Sequence, residues 1–146
     1  MGDLQVQIVK TSIGKVPLKD IFRENATSKD NLLMVKLELR NLNPTKKVEY
    51  HSWAGEGFAF VRDYATLKDN FGNSYKRISF GLGSQPIGAV KGSESLYPNK
   101  SVTDVLLFEV PLDTATHLDL ELPAKNYGCE GMIRFRIPMK DVVRLP

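Results

Sequence analysis

The segment Asn31-Leu-Leu-Met-Val-Lys-Leu-Glu-Leu-Arg-Asn41 constrains the fold more than any other stretch of this chain. Leu33, Val35, Leu37 and Leu39 share one face of an extended strand, and Met34, Lys36, Glu38 and Arg40 share the other. A period of two is what a half-buried antiparallel strand requires, because successive side chains point to opposite faces of a sheet. Asn41, Asn43 and Pro44 then stop the strand.

The same grammar recurs. Leu4, Val6 and Ile8 alternate with Gln5, Gln7 and Lys10. Val48 and Tyr50 mark a short strand. Ala65–Asp69 and Ser74–Ile78 flank Asn70-Phe-Gly-Asn73, a hairpin signal in which Gly72 supplies a positive φ. Val105-Leu-Leu-Phe108 is a continuous apolar run, expected of a central strand covered on both faces, and Pro111 ends it. Leu118, Leu120 and Leu122 alternate with His117, Asp119 and Glu121 until Pro123. Ile133, Phe135 and Ile137 alternate with Arg134 and Arg136 until Pro138. Residues 11–30 read as polar and broken, with a helical turn over Lys19–Glu24 and loop from Asn25 to Asp30. Residues 79–95 read as the longest loop, and Met139–Pro146 as a short exposed or edge segment. Seven or eight strands with almost no helical periodicity predict an all-β, antiparallel β-sandwich, with a closed barrel as the alternative.

At 146 residues the chain is expected to form one domain, residues 1–146. A chain of this size buries roughly 70% of its unfolded surface, enough for a core without metals or disulfides. The single cysteine, Cys129, excludes an intrachain disulfide and is expected to be an inert thiol, buried or in a turn. The net charge of +3 is spread along the chain, which is too weak for a nucleic-acid footprint. The densest basic stretch, Arg134, Arg136, Lys140 and Arg144, starts with the solvent face of a strand. No apolar run approaches the roughly 20 residues of a membrane span. Met1-Gly2-Asp3 leads straight into a strand, so we expect a natural N-terminal segment, including an anchor, to lie upstream.

Motifs with chemistry are sparse. Gly83-Ser-Gln-Pro-Ile-Gly88 has the outer spacing of a phosphate loop but lacks the Lys and Ser/Thr that must follow. Asp69-Asn-Phe-Gly-Asn73 offers oxygen ligands but too few carboxylates for a calcium loop. His51 and His117 read as surface histidines, and no metal or other cofactor is expected. Asp63, Asp69, Asp104 and Glu109 are the acids a hydrolase would have to cluster. No catalytic signature appears, and the expectation is a protein that is not an enzyme. The candidate ligand-binding residues are Trp53, Phe58 and Phe60, with Tyr50 and Tyr64 nearby. Interleaved with Gly55 and Gly57, these rings form either a platform for a sugar or an apolar partner, or a plug at one end of the sandwich.

Four segments carry a resemblance: Val35–Asn43, Ala65–Tyr75, Leu96–Val102 and Leu107–Pro111. Over residues 4–123 their order resembles a bacterial family of unknown function with immunoglobulin-like sandwich domains. That family occurs on exported lipoproteins and membrane-anchored proteins, and the secreted mycobacterial immunoprotective antigen has a related fold. In the family these segments are a strand ending in Asn, an Asp–Gly–Tyr hairpin, a Pro/Gly turn and a strand ending in Phe-Glu-Val-Pro. The family pattern has Gly where Asn99 stands, and this chain has a longer aromatic-rich insert at 51–64. The resemblance implies an immunoglobulin-like sandwich in an extracytoplasmic or cell-envelope setting, contacting a protein or envelope partner. It implies no catalytic residues. The alternative is a carbohydrate- or small-ligand-binding module that uses the loop 51–64.

Overall fold

The computed structural model describes residues 3–20, 26–54, 64–80 and 84–146. Within them the chain runs β1 (Leu4–Gly14), β2 (Pro17–Asp20), β3 (Ala26–Thr27), β4 (Leu32–Asn41), β5 (Val48–His51), β6 (Thr66–Asp69), β7 (Ser74–Tyr75), β8 (Ser84–Pro86), β9 (Ser93–Leu96), β10 (Ser101–Phe108), β11 (His117–Pro123), β12 (Met132–Pro138) and β13 (Val143–Arg144). Two 3-10 turns, Ala124–Tyr127 and Met139–Asp141, are the only helical elements among the described residues. The fold is an all-β sandwich, as the alternation predicts.

Two four-stranded sheets enclose the main core. One has the order β10-β4-β1-β13 and the other β12-β11-β6-β7. All pairings are antiparallel except β1 with β13. From the first sheet come Leu33, Val35, Leu37 and Leu39 of β4, with Leu106 and Phe108 of β10. Leu67, Leu118, Leu120, Leu122 and Ile137 meet them from the second. The period-two face of residues 33–39 is therefore the centre of the core, and each of its four side chains is fully buried. A two-stranded β5-β9 pair adds Tyr50 and Leu96 to the same core.

A third layer lies on the back of the first sheet. The order β3-β2-β8 forms a small sheet. A second apolar cluster of Val16, Leu18, Leu32, Val105 and Leu107 lies apart from the main core, with Met34, Ile78 and Phe80 packed against it. Leu32 and Met34 belong to the same strand phase as Lys36, Glu38 and Arg40. Half of that face is thus covered, while Glu38 and Arg40 stay in water. The apolar run of β10 has both faces covered, as expected, but β10 is an edge strand of its sheet rather than a central one. Two layers, not centrality, explain the run.

Other expectations are corrected. Lys19 and Asp20 lie in β2, not in a helical turn, because Leu18 to Asp20 pair with Ser84–Pro86. The rest of the expected turn, residues 21–24, lies outside the described residues, and Ala26–Thr27, expected as loop, form β3 against β2. The long loop 79–95 contains β8 and β9, whose polar sequence hides them because they sit in small outlying sheets. The last residues are the exposed edge segment expected of them: β13 is the edge strand of the first sheet and pairs parallel with the end of β1.

Candidate functional site

The sequence points first to the aromatics at 50–64, and the structure divides them. Tyr50 and Trp53 have 0% of their surface exposed. Their rings meet edge to face at 4.9 Å, and Tyr127 packs edge-on to Trp53 at 6.2 Å. The indole N–H of Trp53 donates to the Pro123 carbonyl at 2.8 Å. These rings plug the core, and as placed neither has a face on which a ligand could stack. That corrects the platform reading for Tyr50 and Trp53. Tyr64 is 43% exposed, with the Arg77 guanidinium 3.9 Å from its ring centroid. Phe58 and Phe60 lie outside the described residues.

Tyr50 also belongs to a buried polar cluster centred on Asp104. Residues 102, 104, 106 and 108 share the inward phase of β10, so Asp104 is carried into the core by parity. One carboxylate oxygen accepts from the Tyr50 hydroxyl at 2.5 Å and the Ser52 hydroxyl at 2.7 Å. The other accepts from the Val90 N–H at 3.0 Å and from the N–H of the next residue in β10, Val105, at 2.9 Å. Burial pushes the Asp104 carboxyl up, and these four donors pull against it. Burial and the adjacent carboxylate push the Tyr50 phenol well up as well. With every lone-pair direction engaged, this cluster joins β5, the 88–90 turn and β10.

The Asp69 hairpin is built the same way. Asp69 accepts from the Phe71 N–H at 2.9 Å, the Asn73 N–H and side-chain amide at 3.0 Å each, and the Tyr75 hydroxyl at 2.6 Å. Burial would raise this carboxyl, but the donors outweigh it and hold it down at about 2. Gly72 has φ +85° at the turn, as its position requires. The Tyr75 hydroxyl in turn accepts from the Leu112 N–H at 3.1 Å. Of the oxygens that suggested a weak calcium loop, those of Asp69 are taken up by the hairpin's own donors, and the Asn70 side-chain oxygen accepts from the Thr116 N–H at 2.8 Å. Among the described residues, no three His, Cys, Asp or Glu side chains are grouped to hold a metal.

The remaining candidates are surface features. Arg134 and Arg136 stand opposite Glu121 and Asp119 on β11 and pair with them at 3.4 and 2.9 Å. His117 lies 3.6 Å from Asp119, and the His51 carbonyl accepts from the Asn126 amide at 2.9 Å. Cys129 is half-buried and follows the first 3-10 turn. Burial, with Cys129 beside it, pushes the Tyr127 phenol up to about 12. Among the described residues, no helix is long and apolar enough to cross a membrane.

One open concavity of ligand size is not legible in the sequence. It holds about 460 Å³ and opens between β2, β3 and the strand-to-strand segment at 78–80. Leu18, Ala26, Leu32, Ile78 and Phe80 form its apolar lining, and Asp20 and Thr27–Asp30 contribute the polar groups. It belongs to the third layer, whose strands are too short and polar to announce themselves.

No family model matches this chain, and no curated protein matches it. Two solved structures are similar in fold. One is YcdA of Bacillus subtilis subsp. subtilis str. 168, provisionally described as a lipoprotein. Its TM-score is 0.56 at 19% identity, over 94% of this chain but only 37% of YcdA. The other is the YjhA protein of Bacillus subtilis, with a TM-score of 0.52 at 15% identity, over 99% of this chain and 93% of YjhA. At these identities the likeness is one of fold: this chain has the sandwich seen in YjhA and in about a third of YcdA.

Proposed function

We propose that this chain is a non-catalytic, extracytoplasmic module of immunoglobulin-like type that makes protein or cell-envelope contacts. The observation that carries this reading is the likeness to YcdA, where the same fold is one part of a longer protein described as a lipoprotein. The fixed roles of Asp69 and Asp104 support it. Each carboxylate is held by four donors within the fold, which leaves little for acid–base work.

The test is placement in the cell. The full-length gene product, carrying a C-terminal epitope tag in its native host, is fractionated and exposed to protease on intact spheroplasts. Recovery with the envelope and digestion from outside are expected. A tag that stays protease-protected in the cytosolic fraction overturns the reading. Among the described residues, the small-ligand alternative keeps one exposed candidate ring, Tyr64. Titration with a glycan panel, comparing the natural chain with Tyr64→Ala, checks it through Trp53 emission. A response that Tyr64→Ala removes would favour it.

A further inference from the structure

We propose that the third-layer cavity binds the alkyl chain of a neutral amphiphile, a role that does not depend on the envelope reading above. At about 460 Å³ it falls within the size range of ligand pockets, roughly 300–1,000 Å³. Its apolar lining of Leu18, Ala26, Leu32, Ile78 and Phe80 is a floor on which an aliphatic chain removes hydrocarbon from water.

The polar groups exclude other occupants. The Ser28 hydroxyl is already committed: it accepts from the Val16 N–H at 2.9 Å and donates to the Asp30 carbonyl at 2.8 Å. Strand β2 has β3 on one edge and β8 on the other, so its backbone offers no free edge to a peptide. The terminal strand β3 offers an edge only two residues long, so a peptide in the cavity would leave most of its own N–H and C=O groups without partners, at roughly 1–3 kcal/mol each. A hydrocarbon chain brings no such groups. Among the described residues, the charged groups of the lining are Asp20, Asp30 and Lys29, and the Lys15 ammonium donates to the Lys29 carbonyl. These carry no net positive charge to hold an anionic head, which favours a neutral one that stays in water. The Ser28 bonds also fix the wall before any ligand arrives, which limits the ordering cost of binding.

The probe is N-phenyl-1-naphthylamine, a neutral apolar fluorophore, displaced by decyl maltoside below its micellar concentration. The natural chain is expected to enhance the probe's emission saturably, and the maltoside to reverse it. Ala26→Leu and Ile78→Trp, which fill the cavity from two sides, should each weaken the probe by roughly tenfold or more. Thermal melts identify whichever variant stays folded, and one folded variant suffices. Phe71→Ser removes a ring that is 61% exposed at the distant hairpin and should change nothing. No saturable enhancement, undiminished binding by a folded filled variant, or loss of binding in Phe71→Ser would each overturn the proposal.

Discussion

At the scale of single residues, several positions that carry the family resemblance turn out to be fasteners. Asn41, fully buried, donates its amide to the carbonyls of Lys46 and Leu96 and accepts from the Asn43 N–H. Asn99 has φ +64° and is the only non-glycine with positive φ among the described residues. The turn needs the left-handed conformation, which glycine adopts freely and Asn tolerates better than most residues. Asn99→Ala should therefore cost about 1 kcal/mol, while Asn99→Gly should be neutral or better, as read by denaturant melts. A larger loss in Asn99→Gly than in Asn99→Ala would refute the conformational account. Asp69 predicts a pH effect. Its carboxyl is held at about 2 in the fold against an ordinary 3.8, so the unfolded chain takes up the proton first as pH falls. The stabilisation is complete above 3.8 and drains away as pH drops towards 2. The stability gap between the natural chain and Asp69→Asn should shrink across that window. A gap that stays constant from neutral pH to 2 would show that the carboxylate's charge is irrelevant. Asp104 is shifted the other way by burial and does not share this acid-side loss. Asp104→Ala leaves four donors without their acceptor in the core and should cost about 3 kcal/mol or more.

At the scale of elements, legibility followed burial. Strand β4 could be read to within a residue because one face is wholly inside and half the other is wet, so its pattern is undiluted. Parity alone places Asp104 on the inward phase of β10, so the sequence carries a signal for its burial. β2, β8 and β9 leave no period in the sequence because each is three or four residues long and paired outside the main sheets. Such strands are specified by tertiary pairing rather than by period. Trp53 was legible only as an alternative, since an aromatic beside glycines reads equally well as platform or plug. Its environment depends on how the chain is held at 54 and 64. The Arg77 guanidinium donates to the Ala54 carbonyl and stacks on Tyr64, while the Ala65 N–H reaches the Trp53 carbonyl at 3.2 Å. Arg77 therefore clasps both ends of the intervening stretch. Arg77→Ala should raise acrylamide quenching of Trp53, the sole tryptophan, with a loss of about 1 kcal/mol in stability. Quenching identical to that of the natural chain would mean that the clasp does not govern access to the indole.

At the scale of the whole molecule, three layers share one central sheet, and they are unequal. The main core draws on both large sheets and holds the largest buried side chains, among them Trp53, Tyr50 and Phe108. The outer cluster is small, its own strands are two to four residues long, and an open cavity adjoins it at Leu18 and Leu32. Free energy of opening tracks buried apolar contact, so the outer sheet should open without the rest. Native-state hydrogen exchange tests this directly. Amides of β4 at Val35, Leu37 and Leu39 should exchange only through global unfolding, with denaturant dependence equal to that of the equilibrium melt. The Lys19 amide of β2 should exchange through a smaller opening with a shallower denaturant dependence. Equal protection and equal dependence at the two sites would mean that the layers unfold as one unit. Occupancy of the outer cavity must then raise protection of β2 first, because a ligand stabilises only those states that retain its site.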